Sequence, residues 1–389
     1  MLLHSTTPYT LDIKRHQLGY IQSVCMPRPS NFHAHFRRDA LMRAVSESIM
    51  RHVLYVLAMP NNGALKDTVV RTVTEAIEYH EDLMYIAEKA GFHWLKILMT
   101  LYHTADITPE VIEEIARSAV VYAVKDYPSH KGATTGSGYG IPLEDHPDML
   151  HAMEETGVPL LGHFEDVYDK HGKMLPHNMR EQHCVRNRLW RLRDKHPDLR
   201  ICCEHATTRE MVEFVKADKS GKTVMTVTPM PLLFTDKDFA KSWGNLLKCM
   251  PITKGEPHQR AVLDFATSGD FRCIAGNDDA PHPSKTKLVA FDECSFGCSL
   301  PHSVPLYAKA FNQAGALDHR FINFMCLNGP NWWGLPLPSL DDTVTIRHDT
   351  AHDIPDPIDI VEEDGSISDI VLPLGFSLEP DRLQVGLAM

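Results

Sequence analysis

The chain has 389 residues, with 51 acidic against 39 Lys and Arg side chains, a formal net charge of −12 and 43% hydrophobic residues. That balance excludes a nucleic-acid surface, because phosphate binding needs clustered Lys and Arg. No apolar run approaches the roughly 18 residues of a membrane span, and the opening "MLLHSTTPYTLDIKRH" lacks the apolar stretch of a signal peptide.

In chain order, the first strand reads as "IQSVC" running toward "FHAHF". It is followed by "VLYVLAM" (53–59), "WLKILMTLY" (94–102) and "AVVYAVKDY" (119–127). Four more follow: "VPLLGHF" (158–164), "LRICCEH" (199–205), "TVMTVTP" (223–229) and "FRCIAGND" (271–278). Near-continuous apolar runs of this kind suit parallel strands buried on both faces.

Helical patterns lie between them. Thr108 and Pro109 read as an N-cap and first-turn proline, ahead of Val111, Ile112, Ile115 and Ala119 on one face. Thr207 with Glu210 fits a capping box. The segment "LEDHPDMLHAMEETG" ends in Gly157, a residue suited to the left-handed close of a helix. Eight strands alternating with helices predict an α/β fold, a (β/α)₈ TIM-like barrel, over residues 1–338. Prolines and acidic residues then dominate, so 339–389 reads as a small C-terminal extension packed on the barrel. Nine scattered cysteines suit a reducing compartment, which makes the cytoplasm the expected location.

A barrel of this type places its chemistry at the C-terminal ends of the strands. His33 and His35 close the first strand, Lys125 and Asp126 the fourth, His163 the fifth, His205 the sixth and Asp278 the eighth. Residues two apart in a strand share a face, so His33 and His35 can ligate one ion. Imidazole and carboxylate ligands suit Zn²⁺ and similar ions, and this many donors can hold two. Lys125 fits such a centre if carbon dioxide carbamylates its amine to an anion. A single histidine at a strand end is more often just a hydrogen-bonded residue. Six converging residues would need six separate explanations of that kind. His130, His171, His177, His183 and His196 stay in the ordinary class.

These residues resemble the amidohydrolase superfamily and, within it, the bacterial-type dihydroorotases. The HxHxR motif stands as His33-Ala34-His35-Phe36-Arg37, and "MPN" as Met59-Pro60-Asn61. "KDYPSHKGATT" is similar to the carbamylated-lysine segment, with Thr134 and Thr135 in the place of the substrate-loop threonine pair. "GHFED", "EHATT", "GNDDAPH" and "LNGPNWWGLP" follow in order, so the resemblance runs over roughly 28–338.

The resemblance implies one divalent ion held by His33, His35 and Asp278, and a second held by His163 and His205. An N6-carboxylysine at Lys125 and a hydroxide would bridge them, with zinc the ion best suited. It further implies that Arg37, Asn61 and His282 hold a substrate carboxylate, a task that suits the planar guanidinium fork. Asp278 would shuttle the proton. The implied reaction is reversible hydrolysis of the cyclic amide of dihydroorotate to N-carbamoyl-L-aspartate in pyrimidine biosynthesis, by a cytoplasmic homodimer with a small-molecule substrate and no nucleic-acid or membrane partner. Two other readings stand beside it: a related hydrolase acting on a different carboxylated cyclic amide or imide, and an inactive assembly subunit. The chain departs from the family at Asn31, usually aspartate, at Asn277 and Asp279, usually Thr and Ser, at Asp126 beside the lysine, and in the spacing of 285–303.

Overall fold

The computed structural model of the protein describes residues 8–63, 69–128, 140–348, 354–377, 383 and 385–387. Its strands are β1 (Asp12–Arg15), β2 (Ile21–Pro27), β3 (Asn31–Ala34), β4 (Tyr55–Ala58), β5 (Lys96–Tyr102), β6 (Val121–Asp126), β7 (Leu160–Gly162), β8 (Ile201–Cys203), β9 (Thr223–Val227), β10 (Cys273–Ala275), β11 (Thr343–Arg347), β12 (Ile358–Val361) and β13 (Ile367–Val371). Strands β3 to β10 pair in sequence order as one eight-stranded parallel sheet. The two ends of that sheet meet: Asp278 N donates to His33 O at 3.0 Å, and His35 N donates to Asp279 O at 2.7 Å. The fold is a TIM-like barrel, joined at the rim that carries the candidate residues.

Alternation along the strands explains what fills the barrel. Tyr55 and Leu57, Ala123, Leu161, Cys202, Val224 and Ile274 form the inner apolar cluster with Phe32 and Trp333. Val56, Ala58, Val124, Leu160, Ile201 and Cys203 face outward into the larger core. The same two-residue step from Ala123 leads to Lys125, from Leu161 to His163 and from Cys202 to Glu204, so polar side chains cap the apolar interior. In β3 the register shifts between Asn31 and Ala34. A shift of this kind re-aims side chains, so Phe32 and His33, neighbours in sequence, both reach the interior.

The local helix signals have specific outcomes. Thr108 stands at the N-cap position of the helix Pro109–Arg117 without a side-chain capping bond, Pro109 opens its first turn, and the helix buries Ile112 and Ile115; Ala119 lies beyond its end. Gly157 closes Pro147–Thr156 at φ 75°, where glycine carries no Cβ penalty. The cap near 207 is one residue later than the sequence pattern predicts: Thr208 accepts from Met211 N ahead of Arg209–Ala217. Thr207 is instead taken by Glu181, a buried carboxylate that accepts both the amide and the hydroxyl of Thr207 and Thr208.

One strand assignment needs correction. "IQSVC" is not part of the barrel, since β2 pairs antiparallel with β1 and β11 in a separate three-stranded sheet. Two prolines, Pro27 and Pro29, intervene between "IQSVC" and "FHAHF", and Pro cannot donate to a ladder. The hairpin of β12 and β13 packs on the helix Asp39–Met50. The nine cysteines are all free, and among the described residues no helix is long and apolar enough to cross a membrane.

Candidate metal centre

His33, His35, Lys125, His163, His205 and Asp278 converge at the rim, and all six are buried. His33 Nε2 lies 3.2 Å and His35 Nε2 3.4 Å from the same oxygen, Asp278 Oδ1. On the other side, His163 Nδ1 and His205 Nε2 face each other at 3.1 Å. The rings of His33 and His205 are 5.0 Å apart, which links the two halves. His33, His205 and Asp278 offer ligand atoms within 4.8 Å of one another.

The remaining ring nitrogens are mostly tied down. His33 Nδ1 bonds the Glu204 carboxylate, His35 Nδ1 donates to Asn61 O at 2.8 Å, and His163 Nε2 bonds Glu165 Oε2 at 2.8 Å. Such partners fix the tautomer and leave the opposite nitrogen free to act as a ligand. Glu204 and Glu165 are site residues that motif reading passed over. The period of β8 points to Glu204, two residues after the inward Cys202, but only the fold shows that it meets His33.

Lys125 Nζ is fully buried and, among the described residues, has no hydrogen-bond partner. Burial pulls its amine below the ordinary lysine range, against the opposing pull of Glu204 and Asp278. A neutral amine in that setting is the form that reacts with carbon dioxide. Burial would also lower His33, but the Glu204 and Asp278 carboxylates outweigh it and hold His33 above the ordinary 6.5. Burial moves His35 down to about 4 and His205 well below its usual range. For Asp278, burial alone would raise the pKa; the charge and hydrogen bonds of His33, with help from His35, hold it well below the usual carboxylate range.

Four imidazoles, one carboxylate, a buried amine without a partner and two facing ring nitrogens fit a divalent-metal centre. A packed hydrogen-bonded core would have satisfied these atoms. Three residues here carry strained backbone: Arg37 at φ 68°, His205 at φ 41° and Asp278 at φ 53°. Non-glycine residues in that region cluster where function over-determines the geometry.

The residues assigned to the substrate also gather here. Arg37, Asn61 and His282 line a cavity of about 220 Å³ together with the histidines, Tyr127 and Cys249. Arg37 Nε donates to Pro281 O at 2.9 Å and Nη2 faces His282 Nε2 at 3.2 Å. Burial and the Arg37 charge keep His282 neutral, well below its usual range. Thr134 and Thr135 lie outside the described residues. A larger cavity of about 610 Å³ also has Tyr127 in its wall.

The departures at Asn31, Asn277 and Asp279 form one buried network. Asn31 Oδ1 accepts from His33 N at 3.2 Å and Asn277 N at 2.9 Å. Asp279 Oδ2 accepts from Asn31 Nδ2 at 3.4 Å and Asn277 Nδ2 at 3.1 Å, while Leu300 N donates to its Oδ1 at 2.9 Å. The acid is at 279 and the amide at 31, and together they tie the first barrel strand to the last. Asp126 turns to the other face of β6, where His103 Nδ1 meets it at 2.8 Å, so it does not crowd Lys125. Of the histidines left in the ordinary class, His183 pairs with Asp166 at 2.6 Å and His196 with Glu154 at 2.7 Å, both away from the centre.

No family model matches the chain. It is 37% identical over 325 residues to a mitochondrial dihydroorotase of Oryza sativa subsp. japonica, covering 81% of this chain and 75% of that protein. It is 38% identical over 331 residues to a dihydroorotase of Halorhodospira halophila, covering 84% and 90%. Among solved structures, a dihydroorotase from Saccharomyces cerevisiae in complex with 5-fluoroorotic acid superposes with a TM-score of 0.79 at 24% identity, covering 94% of this chain and 98% of that one.

Proposed function

This chain belongs to the dihydroorotase family of the amidohydrolase superfamily, and we propose that it hydrolyses the cyclic amide of (S)-dihydroorotate reversibly to N-carbamoyl-L-aspartate in pyrimidine biosynthesis. Water adds across the ring amide: the C–N bond breaks, the carbonyl carbon becomes a carboxylate, and the nitrogen leaves as the terminal NH₂ of the carbamoyl group. The observation that carries this reading is the buried, unpartnered Lys125 Nζ among four histidines and Asp278.

In this reading His33, His35 and Asp278 would hold one divalent ion and His163 and His205 the other, and Lys125, once carbamylated, would add an anionic ligand. Divalent ions in that place would supply Lewis acidity, lowering the pKa of bound water toward ~7 and polarising the amide carbonyl, and zinc suits the donor set. Asp278, kept ionised by the neighbouring histidines, takes a proton from the attacking water and delivers it to the departing nitrogen. Arg37 pairs with the ring carboxylate, with neutral His282 and Asn61 completing its pocket. Residues 1–338 form the catalytic unit and 339–389 its extension, in a cytoplasmic homodimer.

The test is direct. Purified protein should contain about two ions per chain and turn over dihydroorotate. Full metal loading without turnover of dihydroorotate would reject the substrate.

A further inference from the structure

The two oxygens of Asp278 have different surroundings. Oδ1 faces the Nε2 atoms of His33 and His35, at 3.2 and 3.4 Å. Oδ2 receives the thiol of Cys249, with Sγ at 3.0 Å. Cys249 is 5% and Asp278 4% exposed, and both line the cavity that holds the histidines. Among the described residues no other side chain donates to Oδ2.

The backbone that leads into Cys249 is held by several contacts. Gly297 N and Lys287 Nζ donate to Lys248 O at 2.9 and 3.1 Å. Asn245 Nδ2 reaches Lys287 O at 3.1 Å and Val289 O at 2.6 Å. Cys298 spends its own thiol on Leu246 O at 2.9 Å. The segment 285–303, whose spacing departs from the family, therefore clamps the backbone that leads into Cys249.

We propose that Cys249 is a positioning residue for the reaction: its S–H holds Asp278 Oδ2 and so fixes the rotation of the carboxylate, leaving Oδ1 on the histidine side. The physical need is clear from the backbone. Asp278 sits at φ 53°, just past the end of β10; its amide bonds His33 O, but that backbone pairing leaves the rotation of the carboxylate open. A carboxylate free to rotate would exchange its two oxygens and lose the ligand geometry; a donor on one oxygen removes that freedom. The inference rests on the reading of Asp278 as ligand and proton carrier.

The test compares C249A with C249S in the full-length, metal-loaded protein. The two variants have nearly the same volume but differ in a hydrogen-bond donor. C249A should lose about tenfold in kcat, with KM for dihydroorotate changed less than about twofold and both ions retained, and C249S should recover most of the loss. Equal losses in the two variants, or an unchanged kcat in C249A, overturn the proposal. A second readout does not depend on turnover. The S–H stretch of Cys249, isolated as the infrared difference between metal-free wild type and C249A, should move to higher frequency in D278A and by a smaller amount in D278N. A band that does not move in either overturns the thiol–carboxylate contact. A wild-type chain that binds both ions but leaves dihydroorotate untouched sinks the functional reading instead, and the infrared band still decides the role of Cys249.

Discussion

His163 and His205 stand 42 positions apart in the chain, yet they present Nδ1 and Nε2 to each other at 3.1 Å. His163 already bonds Glu165 through its other nitrogen, while His205 Nδ1 is buried and has no hydrogen-bond partner among the described residues. Two imidazoles facing each other in this way fit the proposed pair of metal ligands. Replacing either by alanine should release about one ion per chain and leave the His33 side occupied, as measured by elemental analysis. Loss of both ions, or of neither, would contradict a two-ion centre divided in this way.

Lys125 should carry one carbon dioxide. Intact-peptide mass spectrometry of the loaded protein would show the added mass on the peptide containing Lys125. K125A should lower turnover by about a hundred- to thousandfold, since an anion between the ions is removed. Reloading stripped protein with metal should depend on bicarbonate. Equal recovery with and without bicarbonate would argue against carbamylation.

Metal retention should depend on pH through His33. Burial favours its neutral form, but Glu204 and Asp278 raise its pKa above 6.5, so a proton competes with the ion as the pH falls. Affinity should therefore rise with pH and level off above the raised pKa, with loss on acidification starting above the ordinary histidine range. Dialysis at stepped pH followed by metal analysis measures this. E204Q should move the midpoint to lower pH, and an unmoved midpoint would remove Glu204 as the cause.

Asn31 and Asp279 should tolerate exchange better than single change. N31D sets a second carboxylate beside the buried Asp279 and removes the Asn31 Nδ2 donor, which should cost about 2–3 kcal/mol in denaturant unfolding. N31D/D279N restores one acid and one amide and should recover more than half of that loss. Additive losses in the double variant would show that the two positions do not communicate.

Arg37 should act on substrate binding more than on chemistry. R37A should raise KM about ten- to hundredfold, the scale of a charge-assisted hydrogen bond. R37K should fall between, because an ammonium lacks the planar fork. Steady-state kinetics with metal-saturated enzyme separates this from loss of ions.

The sequence by itself determined the barrel and the residues at its rim. Apolar runs of the right length and the two-residue period place His33, His35, Lys125, His163, His205 and Asp278 at strand ends, because side-chain direction in a strand is a local property. The same locality misled at "IQSVC": a strand's propensity does not say which sheet it joins, and only tertiary pairing with β1 and β11 put it outside the barrel. The supporting groups were likewise decided by the fold. Glu204 meets His33, Cys249 meets Asp278, and Asn31 meets Asp279 across separations of 171, 29 and 248 positions. No period or motif encodes such contacts, since they arise when distant strands close into one ring and buried polar atoms must find partners.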